Sequence, residues 1–142
     1  MLSNKACIQQ KCLDFHLYSL DETNVQEDFF HFSNLSYCPG TFEKCKSLVS
    51  INIPMTVSEI QKRTFTNCSS LQALIIPNSV TCIQVKAFSD CTSLKSVTIP
   101  NSVTEIGDET FYGCTGLTSI TIPYSVTEIG YEAFYGCKGK IE

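Results

Sequence analysis

Nine cysteines and two histidines are the residues of this 142-residue chain best equipped for chemistry. A thiolate attacks carbonyls, exchanges disulfides and binds metals, and an imidazole accepts the proton that makes the thiolate. Five of the cysteines, Cys45, Cys68, Cys91, Cys114 and Cys137, recur at a constant interval of 23 residues. Both histidines, His16 and His31, precede that series, so no interval contains a Cys/His couple. Cys7, Cys12, His31 and Cys38 are all zinc-ligand types. Their spacing is poor for the metal, because the Cys7 to Cys12 interval sits at the edge of the usual tight pair and His31 to Cys38 fits no common knuckle. Phosphate-loop, dinucleotide, zinc-protease and nucleophile-elbow patterns are absent. The expectation is a chain with no catalytic residue, no metal and no cofactor, and hence not an enzyme.

What positions the cysteines is the repeat itself. Each follows a phenylalanine by three, at Phe42, Phe65, Phe88, Phe111 and Phe134, with no insertion or deletion. Between these marks run aligned columns: Leu48/Leu71/Leu94/Leu117, Ile51/Leu74/Val97/Ile120, Ile53/Ile76/Ile99/Ile122, Pro54/Pro77/Pro100/Pro123, Val57/Val80/Val103/Val126 and Ile60/Ile83/Ile106/Ile129. Alternation around Ile51 and Ile53 predicts a short strand, and the following proline has no N–H with which to prolong it. A fixed period of this length predicts a solenoid. One coil cannot bury enough by itself, so the coils must share faces in a single continuous core. The cysteine column then points inward and stays reduced, in keeping with an odd cysteine count.

The columns resemble the leucine-rich repeats, specifically the BspA-like subclass with its L-x-x-I-x-I-P, V-x-x-I-G and A-F-x-x-C pattern. Residues 42–137 carry the resemblance, and TIPYSVTEIGYEAFYGC at 121–137 matches closely. Gln61 and Gln84 stand where Gly107 and Gly130 recur, so those two turns are expected to avoid positive φ or to tolerate it at a cost. The resemblance implies a horseshoe or arc with short parallel strands on the concave face and irregular or short-helical returns. It also implies protein binding, with adhesion or host interaction at a cell surface among the family's roles.

Residues 1–41 break the period and are read as an N-terminal cap or a degenerate first repeat. Residues 42–142 are read as four complete 23-residue repeats and a truncated fifth. The last cysteine is followed by only five residues, which leaves the strand of residues 117–122 as the expected outermost one. An unpaired parallel edge invites another chain, and end-to-end assembly through that coil is the alternative function. No apolar run reaches membrane-spanning length and no signal-peptide pattern is present, which gives a cytoplasmic address and no membrane insertion as the expectation.

The net charge of -4 is unevenly distributed. Lys44, Lys46, Lys62, Arg63 and Lys86 dominate the first two repeats, whereas Asp90, Glu105, Asp108, Glu109, Glu128 and Glu132 dominate the next two. The expected binding surface is the concave grid of Ser50, Asn52, Gln72, Ile75, Lys95, Ser96, Thr98, Thr118, Ser119 and Thr121, together with Val49 and Ala73. These residues are small and nearly uncharged. They suit a protein partner and not nucleic acid, which requires clustered cations. A secondary interface is expected at Tyr112, Tyr124, Tyr131 and Tyr135, since tyrosine is a frequent anchor.

Overall fold

The computed structural model describes residues 39–142. Most of the expected cap, and the ligand candidates Cys7, Cys12, His31 and Cys38, lie outside the described residues. In chain order the strands are β1 (Ser50–Asn52), β2 (Glu59–Ile60), β3 (Ala73–Ile75), β4 (Cys82–Ile83), β5 (Ser96–Thr98), β6 (Glu105–Ile106), β7 (Ser119–Thr121), β8 (Glu128–Ile129) and β9 (Lys140–Ile141). Odd-numbered strands form one parallel sheet in the order β1-β3-β5-β7-β9, and even-numbered strands form a second in the order β2-β4-β6-β8. The protein is a parallel-strand solenoid, as the columns require. Its return segments carry the second ladder, with no helix among the described residues.

Every apolar column fills the interior. Leu71, Val80, Ile83, Phe88, Cys91 and Leu94 are inaccessible to solvent, and their counterparts one coil away are nearly so. The phenylalanines stack in one file from Phe42 to Phe134, with ring centroids 5.3 to 5.5 Å apart and planes within 9° of parallel. Each cysteine thiol donates to the carbonyl of the phenylalanine in the preceding coil: Cys68 to Phe42 at 3.1 Å, and Cys91, Cys114 and Cys137 to Phe65, Phe88 and Phe111 at 3.2 Å. A small apolar side chain with one weak donor fits this position, which accounts for the column. Cys45 departs from the expected reduced column, because it is disulfide-bonded.

The third side of each coil runs through Phe-x-x-Cys without forming a strand. Its residues two before and two after phenylalanine have positive φ, as at Arg63 (59°) and Asn67 (61°), Lys86 (58°) and Asp90 (60°). The intervening geometry aligns alternate N–H groups along the solenoid axis. Arg63, Phe65 and Asn67 donate to the carbonyls of Val85, Ala87 and Ser89 in the next coil at 3.1, 2.8 and 2.8 Å. Lys86, Phe88 and Asp90 repeat this toward Asp108, Thr110 and Tyr112.

Two expectations need correction. The glycine column at Gly107 and Gly130 is absent from the positive-φ residues. It reflects close approach instead, since a Cβ at Gly107 would lie 2.7 Å from the Val85 nitrogen. Gln61 and Gln84 avoid positive φ as expected, but the glycines of their column avoid it too, so what is corrected is the role of the glycines. The outermost strand of the first sheet is β9, not residues 117–122: Lys140 pairs with Ser119, and Ile141 with Ile120. The chain reaches this register two residues early, because Gly139 lies so close to the Thr118 backbone that any Cβ would collide with it. Backbone pairing alone suffices here, without the leucine that introduces the earlier strands.

Candidate functional site

The exposed face of the first sheet is built by strict alternation. Ile51, Leu74, Val97 and Ile120 turn inward at the centre of each strand, so both neighbours must turn outward. One outward column is Ser50, Ala73, Ser96 and Ser119; the other is Asn52, Ile75, Thr98 and Thr121. Val49, Gln72, Lys95 and Thr118 precede them, tied by N–H bonds from Gln72 to Val49, Lys95 to Gln72 and Thr118 to Lys95. All twelve residues are exposed, and Ile75 retains 74% of its surface. The structure thus places the expected grid on one continuous face. It extends one strand further than the sequence reading, because β9 adds Lys140, whose ammonium pairs with Glu142.

The tyrosines divide. Tyr112 and Tyr135 stack at 5.3 Å on the third side, and the exposed Tyr131 belongs to the same return segment. The Tyr131 backbone N–H donates to Asp108 Oδ1 at 2.7 Å, and its phenol is held above the usual range chiefly by a hydrogen bond to Glu132. Tyr124 instead occupies the turn after β7 and is fully exposed. The expected secondary interface is therefore two places along the coil.

On the second sheet the outward column is Glu59, Cys82, Glu105 and Glu128. Cys82 was not singled out from sequence, since its column otherwise holds glutamate. Burial and then the Glu105 carboxylate raise its thiol to about 12, and the Gln84 amide, which bonds Glu59, lies 3.6 Å from its sulfur. The ladder thiols are protonated for a simpler reason: burial lifts Cys68 and Cys114 to about 12 and Cys91 higher still. A thiol so far from ionisation is a poor nucleophile and a poor metal ligand. Among the described residues no three His, Cys, Asp or Glu side chains gather as a metal site. No helix there is long and apolar enough to cross a membrane. The arrangement presents surface rather than reactive groups.

The charge gradient read from sequence is joined at its midpoint by the Lys86–Glu109 ion pair, 3.1 Å long and about a third exposed. Such a pair contributes little stability, on the order of a few tenths of a kcal/mol.

Comparison with solved structures finds the same architecture in bacterial proteins. A leucine-rich repeat protein of T. pallidum superposes with a TM-score of 0.68 at 34% identity, covering 70% of this chain and 46% of that one. One from Bacteroides ovatus gives 0.65 at 44% identity, covering 68% and 25%. The pneumococcal vaccine antigen PcpA gives 0.61 at 27% identity, covering 63% and 22%. The chain therefore spans about half the length of the first and a quarter of the second. No curated protein matches it. Residues 17–141 match the BspA type Leucine rich repeat region in six copies, and the chain belongs to that family.

Proposed function

We propose that this protein is a binding module without catalysis, and that the exposed face of the first sheet receives a protein partner. The observation that carries this reading is the pair of outward columns on β1, β3, β5 and β7: small, in register, uncharged and unobstructed by their own chain. Lys95 is the one charge among the twelve residues of the grid on β1, β3, β5 and β7 and the positions preceding them, before Lys140 of β9. A partner's backbone or side chains approach such a face closely at little electrostatic cost, with Ile75 as the apolar contact. Family membership supports protein binding. A cell-surface address with host molecules as partners is the finer part of this reading and rests on analogy with the family.

Crosslinking on intact source cells and in lysate, with the wild-type chain and a Thr98→Glu/Thr121→Glu variant, tests the assignment. Both positions are exposed, so circular dichroism of the variant should match wild type. Loss of a specific partner in the variant is the expected outcome. Retention of that partner overturns the assignment of the face.

A further inference from the structure

We propose that the third side of the coils pairs with the third side of a second copy of this chain, the two solenoid axes antiparallel. The side is ordered by sign. One column of it is Arg63, Lys86, Glu109 and Glu132, set rung on rung by N–H bonds from Arg63, Lys86 and Glu109 to the carbonyls of Val85, Asp108 and Tyr131. All four have φ between 52° and 59°, so their side chains leave the coil in the same direction. The Lys86–Glu109 ion pair, about a third exposed, lies on the outer surface. Two cations are therefore followed by two carboxylates at the rung interval of about 4.8 Å. In the adjoining column Lys62 stands beside Arg63, and Asp108 beside Glu109.

Relief follows the same order. Three residues after the charged column come Thr66, Ser89, Tyr112 and Tyr135. Thr66 and Ser89 are small and keep only 7% and 4% of their surface, which leaves a hollow two rungs long. Tyr112 and Tyr135 stack at 5.3 Å and make a ridge of the same length. Asp90, the acid in the basic half, leans over Gly113 of its own chain, where a Cβ would collide with its carboxylate.

Charge and relief together select the occupant. A twofold axis lying in the contact plane, between the Lys86 and Glu109 rungs and parallel to the chain there, sets Arg63 against the second copy's Glu132 and Lys86 against its Glu109. The same rotation sets the Thr66/Ser89 hollow against the Tyr112/Tyr135 ridge. With the axes parallel, cations would meet cations and ridge would meet ridge. A linear polyanion fits less well, since along the axis it passes from Lys62 and Arg63 to Asp108 and Glu109 within about 10 Å. Complementary charges fix register and exclude wrong pairings more than they add affinity, so the pairing is isologous, weak and salt-sensitive. It uses a different side of the coil from the first sheet, whose face stays open on both copies.

Sedimentation equilibrium of the full chain, from about 1 µM to 1 mM at low salt, reads the pairing. A monomer–dimer equilibrium is expected, weakened about tenfold or more in about 0.5 M salt. Arg63→Glu and Glu132→Lys, each verified as folded by circular dichroism, should each weaken the dimer by about tenfold or more, because either change opposes like charges at two symmetric contacts. An equimolar mixture of the two variants should recover it: each reversed charge then meets the other variant's reversed charge, and the native charges meet each other. A monomer throughout, or a dimer untouched by either single variant, overturns the proposal. Loss in both variants without recovery in the mixture overturns the antiparallel register. A wild-type monomer that instead binds a heparin fragment, and loses it on Arg63→Glu, assigns the cations to a polyanion and overturns the choice of occupant.

Discussion

Residues 103–114 and 126–137 are nearly the same sequence, VTEIGDETFYGC against VTEIGYEAFYGC, yet they occupy different environments. Ile106 is inaccessible while its counterpart Ile129 is half exposed; Phe111 and Cys114 are sealed while Phe134 and Cys137 are not. In the earlier segment Glu109, Phe111 and Gly113 donate to carbonyls of the next coil, whereas the N–H groups of Glu132, Phe134 and Gly136 find no backbone acceptor among the described residues. Backbone conformation is the same in both, with the left-handed positions at Glu109 and Gly113 recurring at Glu132 and Gly136. The contrast separates two things that repeat sequences usually confound. A coil's own residues set its path, whereas its burial and hydrogen bonding come from the coil stacked on it.

The sharpest way to break the comparison is to make the same change on both sides of it. Phe111→Ala removes a ring sandwiched in the file and should cost about 3–5 kcal/mol. Phe134→Ala, partly exposed, should cost about half as much. Denaturant titration of the two variants measures the difference, and equal losses would mean that the last coil is as tightly held as the inner ones.

Alkaline pH sharpens the comparison through the thiols. Burial raises the folded-state values of Cys68 and Cys114 from an ordinary 9.0 to about 12. The unfolded chain then releases these protons first. Their stabilising contribution is complete below pH 9 and is lost as pH rises toward 12, at about 1.4 kcal/mol per pH unit for each thiol. Replacing Cys114 with alanine should make the alkaline loss shallower by close to one proton, read from midpoint against pH. Replacing the less buried Cys137 should change the slope less. In the native state a thiol reagent should modify Cys137 well before Cys114, and equal rates would show that the two coils open together.

The smallest effect concerns the left-handed positions, which both coils share. Arg63 is exposed with φ of 59°, and the corresponding residue in the first described coil is Gly40. Arg63→Gly should raise stability by about 0.5–1 kcal/mol, because glycine adopts this conformation without the Cβ clash. A thermal melt compares the variant with Gly107→Ala, a position without positive φ, where the added Cβ meets backbone and stability should fall.

Much of the fold was legible in sequence because every column has the same neighbours in each coil. Leu71, Val80 and Phe88 announce their burial by recurring, and the outward grid follows from strand alternation alone. What was not legible depends on backbone rather than side-chain type. The second sheet rests on two-residue strands such as Glu59–Ile60, too short to show alternation. Positive φ falls on Lys44, Arg63, Lys86 and Glu109, residues that give no sign of it. Lys140–Ile141 pairs without its leucine because only main-chain groups and the space left by Gly139 are needed. Cys82 escaped notice because its place on the outward column of the second sheet depends on a strand that was not foreseen.

The thiol-to-carbonyl bonds and the phenylalanine file have a mechanical consequence. Each bond ties a coil only to the one before it, so tension on the two ends of the chain meets the coils one after another rather than all together. Each release frees 23 residues, roughly 80 Å of extended chain. Stretched singly, the molecule should lengthen in equal steps and behave as a ratcheted tether rather than as a body that breaks at once.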